Sequence, residues 1–269
     1  MKYAICNETF QDWPFEKAFQ FARQCGYQAL EIAPFTINKD VRQITAAQRA
    51  TVREQAEEAG LSILGLHWLL AFTEGFYLTS PEADVQRATT AYLEDLARFC
   101  HDLGGDIMVL GSPHQRNVLP GVTMGEAMGY AADILKQCMP TFADLGIRLA
   151  LEPLGPEEGD FLLTADLAVE LMEMVDAPPC RLHLDVKAMS TEAPPIDEII
   201  RKHSDHLIHF HANDANRRGP GMGEIDFVPI LQALKDINYD GWVCVEVFDY
   251  DPGVEALAKE SIDYLKSCV

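Results

Sequence analysis

Six apolar runs of this 269-residue chain end in a side chain that can ligate an ion or carry a proton: near Glu31, at His67, and at Glu152, Asp185, His211 and Glu246. The last four close consecutive runs. Their three carboxylates and one imidazole make a mixed oxygen and nitrogen shell for one divalent ion such as Mn²⁺, Mg²⁺ or Co²⁺, with Zn²⁺ also admissible. A tetrahedral structural zinc site would more often draw on thiolates. An acid at a strand end can also cap the next helix, which explains any one of the four, Asp185 in particular. It does not explain Glu152 in Leu149-Ala150-Leu151-Glu152-Pro153 together with Glu246 in Val243-Cys244-Val245-Glu246-Val247. Burying two glutamates is unfavourable unless they are paired, hydrogen-bonded or metal-bound. His183 and His209 lie two residues before Asp185 and His211. They therefore share the inward faces of the same strands and read as hydrogen-bonded residues one layer deeper.

The elements that must position these groups follow one pattern. Apolar runs at 3–6, 29–32, 62–67, 107–111, 148–152, 181–185, 207–211 and 242–246 alternate with amphipathic stretches, as in a parallel sheet covered by helices. From Cys6 to Glu246 there are 240 residues in seven intervals, or roughly 34 per unit, close to the ~31 of an average (β/α)8 TIM barrel. A doubly wound open sheet would leave repeats over, and the first run lacks a G-x-G-x-x-G turn. Residues 1–269 therefore read as one α/β barrel domain, whose strand ends surround a single mouth. Thr45 with Gln48, and Thr123 with Glu126, predict capping boxes. Ser80-Pro81 predicts a helix start, and Gly26, Gly60 and Gly146 predict left-handed helix ends. The longest structureless stretch, 212–227, carries Gly219, Gly221 and Gly223 and reads as a lid or binding loop.

Composition removes several function classes. Apolar residues make up 48% and charged residues 23%, an ordinary globular balance that excludes a disordered chain. No apolar run approaches the ~18 residues of a membrane span, and the start resembles no secretory signal. Twenty-one basic against 42 acidic residues give a net charge of −21, which argues against nucleic acid as a partner. The seven cysteines include no C-x-x-C pair and read as small core residues of a reduced, cytoplasmic protein.

The motifs Leu151-Glu152-Pro153, His183-Leu184-Asp185, His209-Phe210-His211, Ala215-Asn216-Arg217 and Val245-Glu246 carry a resemblance. The chain resembles the xylose isomerase-like barrel superfamily, in its sugar isomerase and epimerase branch, ketose 3-epimerases included. The likeness covers nearly the whole chain. It implies that Glu152, Asp185, His211 and Glu246 bind one divalent metal, and that Glu152 and Glu246 exchange the substrate proton. It further implies that Arg217 and Glu158 bind substrate oxygens, and His67 is a further substrate-binding candidate. Many relatives carry a substrate-contacting histidine three residues after the aspartate. Here that position is Ala188, and its neighbour Lys187 is expected to point elsewhere.

The implied activity is proton abstraction next to a carbonyl, through an enediolate, on a small carbohydrate. It needs a base and an acid on opposite faces of the carbon and a positive charge beside the carbonyl. A dehydratase or lyase acting on a keto-sugar or keto-inositol would use the same groups. An apurinic endonuclease-like hydrolase is the weaker alternative, because the loop Gly223-Glu224-Ile225-Asp226-Phe227 lacks the expected histidine. The metal quartet also argues against a non-catalytic sugar-binding barrel. Many barrels of this branch are dimers or tetramers, so the resemblance allows a homo-oligomer. Ser112 and Arg116 are further candidates to reach substrate. Trp68, Phe72, Phe76 and Tyr77 are expected to wall one apolar side of the pocket.

Overall fold

Each apolar run forms a strand in the computed structural model, which describes residues 1–269. The strands are β1 (Lys2–Cys6), β2 (Ala29–Ile32), β3 (Ser62–Leu66), β4 (Ile107–Leu110), β5 (Arg148–Leu151), β6 (Cys180–Asp185), β7 (Leu207–Ala212) and β8 (Trp242–Val245). They pair in chain order, and β8 returns to β1 in parallel register to close the barrel. Around them run α1 (Phe15–Cys25), α2 (Ala46–Glu58), α3 (Ala83–Leu103), α4 (Met124–Leu145), α5 (Ala165–Val175), α6 (Val186–Met189), α7 (Ile196–Lys202), α8 (Phe227–Asp236) and α9 (Val254–Ser267). No helix is long and apolar enough to cross a membrane.

Strand alternation divides the apolar residues between two cores. The larger core lies between the sheet and the helices, where Leu30, Leu149, Leu182 and Phe210 meet Phe19, Leu96 and Phe142. The smaller lies inside the barrel and includes Ala4, Ala29, Leu64, Ile107 and Ala150. The inward residues turn polar towards the carboxyl ends of the strands. There the β6–β7 register pairs His183 with His209 and Asp185 with His211. Glu246 follows directly on β8, whose Val245 pairs with Ala212.

Both capping boxes form as the sequence predicts, and Gly26 and Gly146 take left-handed conformations at the ends of α1 and α4. Ser80-Pro81 does not open a helix. The helix α3 starts at Ala83 with Glu82 at its cap, and Ser80 Oγ accepts the Glu82 N–H at 3.2 Å. The reason is tertiary: Leu78 N–H and Thr79 Oγ donate to the carbonyls of Gln115 and Asn117. These bonds hold Leu78 and Thr79 in a turn against the loop after β4.

Candidate active site

The carboxyl ends of the strands open on a cavity of about 330 Å³ whose walls include Glu152, Glu158, Arg217, Glu246, Trp68 and Phe248. Ligand atoms of Glu152, Asp185, His211 and His183 lie within 4.8 Å of one another. Glu246 stands beside this group. Its Oε2 accepts from His211 Nδ1 at 3.0 Å, and its Oε1 accepts from Trp68 Nε1 at 3.0 Å. Three of the four expected ligands therefore share one cluster, and the fourth joins it through the imidazole.

Neighbouring strands orient the members. Asp185 Oδ1 accepts the Ala188 N–H at 2.8 Å, so the aspartate caps α6 as well as joining the cluster. Its Oδ2 accepts from Asn213 Nδ2, and Asn213 Oδ1 accepts the Lys187 N–H at 2.8 Å. Asn213 thus ties the end of β7 to the turn after β6. Gly111, at the end of β4, leaves the room Glu152 occupies: a Cβ there would fall 1.6 Å from Glu152 Oε2.

Beneath the cluster lies a carboxylate whose role the sequence alone did not disclose. Glu31 Oε2, fully buried, accepts from His209 Nε2 at 2.9 Å and from His211 Nε2 at 3.0 Å. Burial opposes its ionisation, but His209 and His211 outweigh it and hold the carboxyl well below its usual range. Carboxylates stand at both nitrogens of His211. Burial works against a charge on the ring, while Glu246 and Glu31 raise its pKa well above the usual value. Burial, then Glu246 and Asp185, push Glu152 well above the usual carboxylate range. His183 is fully buried with neither ring nitrogen hydrogen-bonded, so it departs from the bonded role expected of it. Burial, with His211 and His209, lowers its pKa well below the usual value.

The other expected residues divide. Arg217 lines the cavity, its guanidinium 5.7 Å from the centre of the Phe248 ring, while Arg218 turns away to Asp249 at 2.8 Å. The loop that carries Arg217 is tied down rather than free. The Arg217 carbonyl accepts the N–H groups of Phe248 and Asp249, and its own N–H reaches the Asp214 carbonyl. Glu158 also lines the cavity. Contrary to expectation, Lys187 reaches it, with Nζ 2.6 Å from Glu158 Oε2 and 5.0 Å from the centre of the Phe248 ring.

His67 does not touch the cavity. It is fully buried, with Nε2 2.7 Å from Glu8 Oε2, and it is grouped with Glu8 and Glu246, with ligand atoms within 4.8 Å of one another. Ser112 lines the cavity but uses Oγ to accept the Leu70 N–H at 3.0 Å. Arg116 is buried, with Nη1 donating to the Leu110 carbonyl at 3.1 Å. Burial lowers its pKa to about 10, against the pull of Glu152 and Glu158. Trp68 and Phe72 form the expected apolar wall, whereas Phe76 stacks on Tyr92 away from it.

Known proteins are similar to this chain in sequence and in architecture. A probable ketose 3-epimerase of Synechocystis sp. is 27% identical over 93% of this chain and 90% of its own length. The D-psicose 3-epimerase of Enterocloster bolteae is 30% identical over 92% of this chain and 82% of its own. The crystal structure of D-psicose 3-epimerase with D-tagatose from Clostridium cellulolyticum matches with a TM-score of 0.87 over 100% of this chain and 99% of that one. At 20% identity that likeness is one of fold. Residues 19–268 match the family described as xylose isomerase-like TIM barrel, and the chain belongs to that family.

Proposed function

We propose that residues 1–269 act as one barrel domain and that the protein is a divalent-metal-dependent ketose epimerase, exchanging the proton on a carbon next to the carbonyl. The observation that carries this reading is the convergence of Glu152, Asp185 and His211, with Glu246 bonded to His211, at a cavity also walled by Glu158 and Arg217. The relatives named as ketose and psicose 3-epimerases support the substrate class. The cavity, about 330 Å³, lies at the small end of the roughly 300–1,000 Å³ of ligand sites and suits a monosaccharide.

The residues fit a divalent cation. Burial and the neighbouring carboxylates raise the pKa values of Glu152 and Asp185 in spite of His211, Arg116 and Lys187 nearby, so the cluster has room for further positive charge. Two buried imidazole nitrogens of His183 have no partner. Glu152, Asp185, His211 and Glu246 would hold the ion, and His211 would release its Nδ1 proton to do so. When bound, the ion polarises the substrate carbonyl and offsets the negative charge that develops beside it.

The protein's own groups do the rest. One of Glu152 and Glu246 takes the proton from the carbon, and the other returns a proton on the opposite face. Trp68 fixes the Glu246 carboxylate through Oε1. Arg217 donates to substrate oxygens, and Glu158 accepts from substrate hydroxyls. The rings of Trp68 and Phe248, 6.1 Å apart, limit water at the reacting carbon.

A panel of free ketoses incubated in D₂O with Mn²⁺ tests the proposal. Solvent deuterium should enter the epimerised carbon of at least one sugar. Retention of the original hydrogen in every product would reject this mechanism. For Arg217, alanine substitution should raise KM or lower kcat at least tenfold, with Mn²⁺ affinity unchanged by calorimetry. Wild-type kinetics in that variant would remove Arg217 from the substrate site.

A further inference from the structure

The imidazole of His183 lies inside the barrel with no exposed surface, and neither Nδ1 nor Nε2 has a hydrogen-bond partner. Buried polar atoms are paired in the great majority of cases, and each orphan calls for a physical reason. Each of the other interior histidines has at least one bonded nitrogen, His209 and His211 to Glu31 and His67 to Glu8, although Nδ1 of His67 and of His209 is unpartnered. His183 alone faces the carboxylate cluster without a bond. Its Nε2 lies 3.8 Å from Glu152 Oε1, too far for a hydrogen bond. Two atoms that share one ion at about 2.0–2.2 Å stand about 3–4.4 Å apart, depending on the angle between them. The observed separation falls in that interval. His183 also belongs to the same group as Glu152, Asp185 and His211, with ligand atoms within 4.8 Å of one another.

We propose that His183 is a further ligand of the divalent ion, adding a second imidazole to the shell of Glu152, Asp185, His211 and Glu246. This rests on the metal-dependent reading above and extends it to metal preference. Nε2 carries the lone pair, and Nδ1 keeps the proton. A shell with two imidazoles favours Co²⁺, Ni²⁺ or Zn²⁺ over Mg²⁺ more strongly than a shell with one, because hard cations gain little from nitrogen donors. His183 is thus a residue that selects the metal.

The position of His183 allows this in a way that His209 does not. Its strand register sets it beside His209 and two residues before Asp185. The ring packs edge-on to His211, with centroids 4.2 Å apart and planes at 75°. Glu31 occupies His209 Nε2, and His209 is not among the residues grouped with Glu152 and Asp185.

The test measures the metal, not turnover. Wild-type protein and the variants His183→Leu and His183→Gln are stripped with chelator, checked for folding by circular dichroism, and titrated with Co²⁺ and with Mg²⁺. X-ray absorption of the Co²⁺-loaded wild type should count two imidazoles. The variants should count one, bind Co²⁺ at least tenfold more weakly, and change their Mg²⁺ affinity less than threefold. One imidazole in the wild type would overturn the proposal whatever the variants do, while leaving the four-ligand site standing. Equal loss of Co²⁺ and Mg²⁺ affinity in a folded variant would also overturn it. Failure of the wild type to bind Co²⁺ or Mn²⁺ at all would overturn the metal-dependent reading itself.

Discussion

Glu152→Gln and Glu246→Gln should each lose about 10²–10⁴-fold in turnover and should not recover when metal is added to saturation. The amide keeps the shape of the side chain and one ligating oxygen, but it cannot take up and release the substrate proton. If the two glutamates were ligands only, activity and metal affinity would fall together and excess Mn²⁺ would restore both. The Glu246 variant is the more informative, because Trp68 Nε1 and His211 Nδ1 hold both of its oxygens. A glutamine can keep the Trp68 contact through its carbonyl oxygen, so the carboxylate is lost while the side chain stays in place. The measurement is kcat against Mn²⁺ concentration, with occupancy followed separately by electron paramagnetic resonance. A fully loaded Glu246→Gln enzyme turning over at the wild-type rate would refute the proton-transfer role.

The second large effect belongs to a residue outside the cavity. Glu31→Gln should weaken Mn²⁺ binding roughly 10–100-fold, the usual loss when the carboxylate that orients a ligating histidine is removed. Glu31 holds His211 Nε2 and so presents Nδ1 to Glu246 and the cluster. It also accepts from His209, so one substitution loosens two interior imidazoles. Removing one partner of a buried ionic contact is strongly destabilising, by about 3–5 kcal/mol. Denaturant unfolding in the presence of EDTA should therefore register the loss before any metal is added. Unchanged Mn²⁺ affinity in a folded variant would show that His211 is held by other means.

The barrel and most of its mouth were legible because each clue was local. Eight apolar runs, spaced evenly, specify strands, and an acid or histidine at the end of a run specifies a group at the mouth. What the sequence could not disclose depends on contacts between distant segments. His67 stands at a strand end like the other mouth residues, but its partner Glu8 lies in a single turn of 3-10 helix, Asn7–Phe10, after β1. Lys187 was expected to point elsewhere, yet four methylenes carry its ammonium to Glu158. Ser80-Pro81 has the local signature of a helix start, which bonds to the loop after β4 override. Glu31 was visible as a strand-end acid, but its two imidazole partners lie 178 and 180 residues away. Interior pairings of that kind arise from barrel closure, which leaves no mark on any short stretch of sequence.

The seam between β1 and β8 joins Lys2 to Trp242 and Ile5 to Val245, the greatest sequence separation of any strand pair in the ring. Joining ends so far apart is entropically unfavourable, and folds rich in such distant contacts form slowly. Glu246 lies just past that seam, so a chain still emerging from the ribosome can carry Glu152, Asp185 and His211 while lacking the fourth carboxylate. On the metal-dependent reading proposed above, an ion that needs all four ligands would then act as a latch on a ring that has already closed, adding RT ln(1 + [M]/Kd) to the stability of the finished barrel.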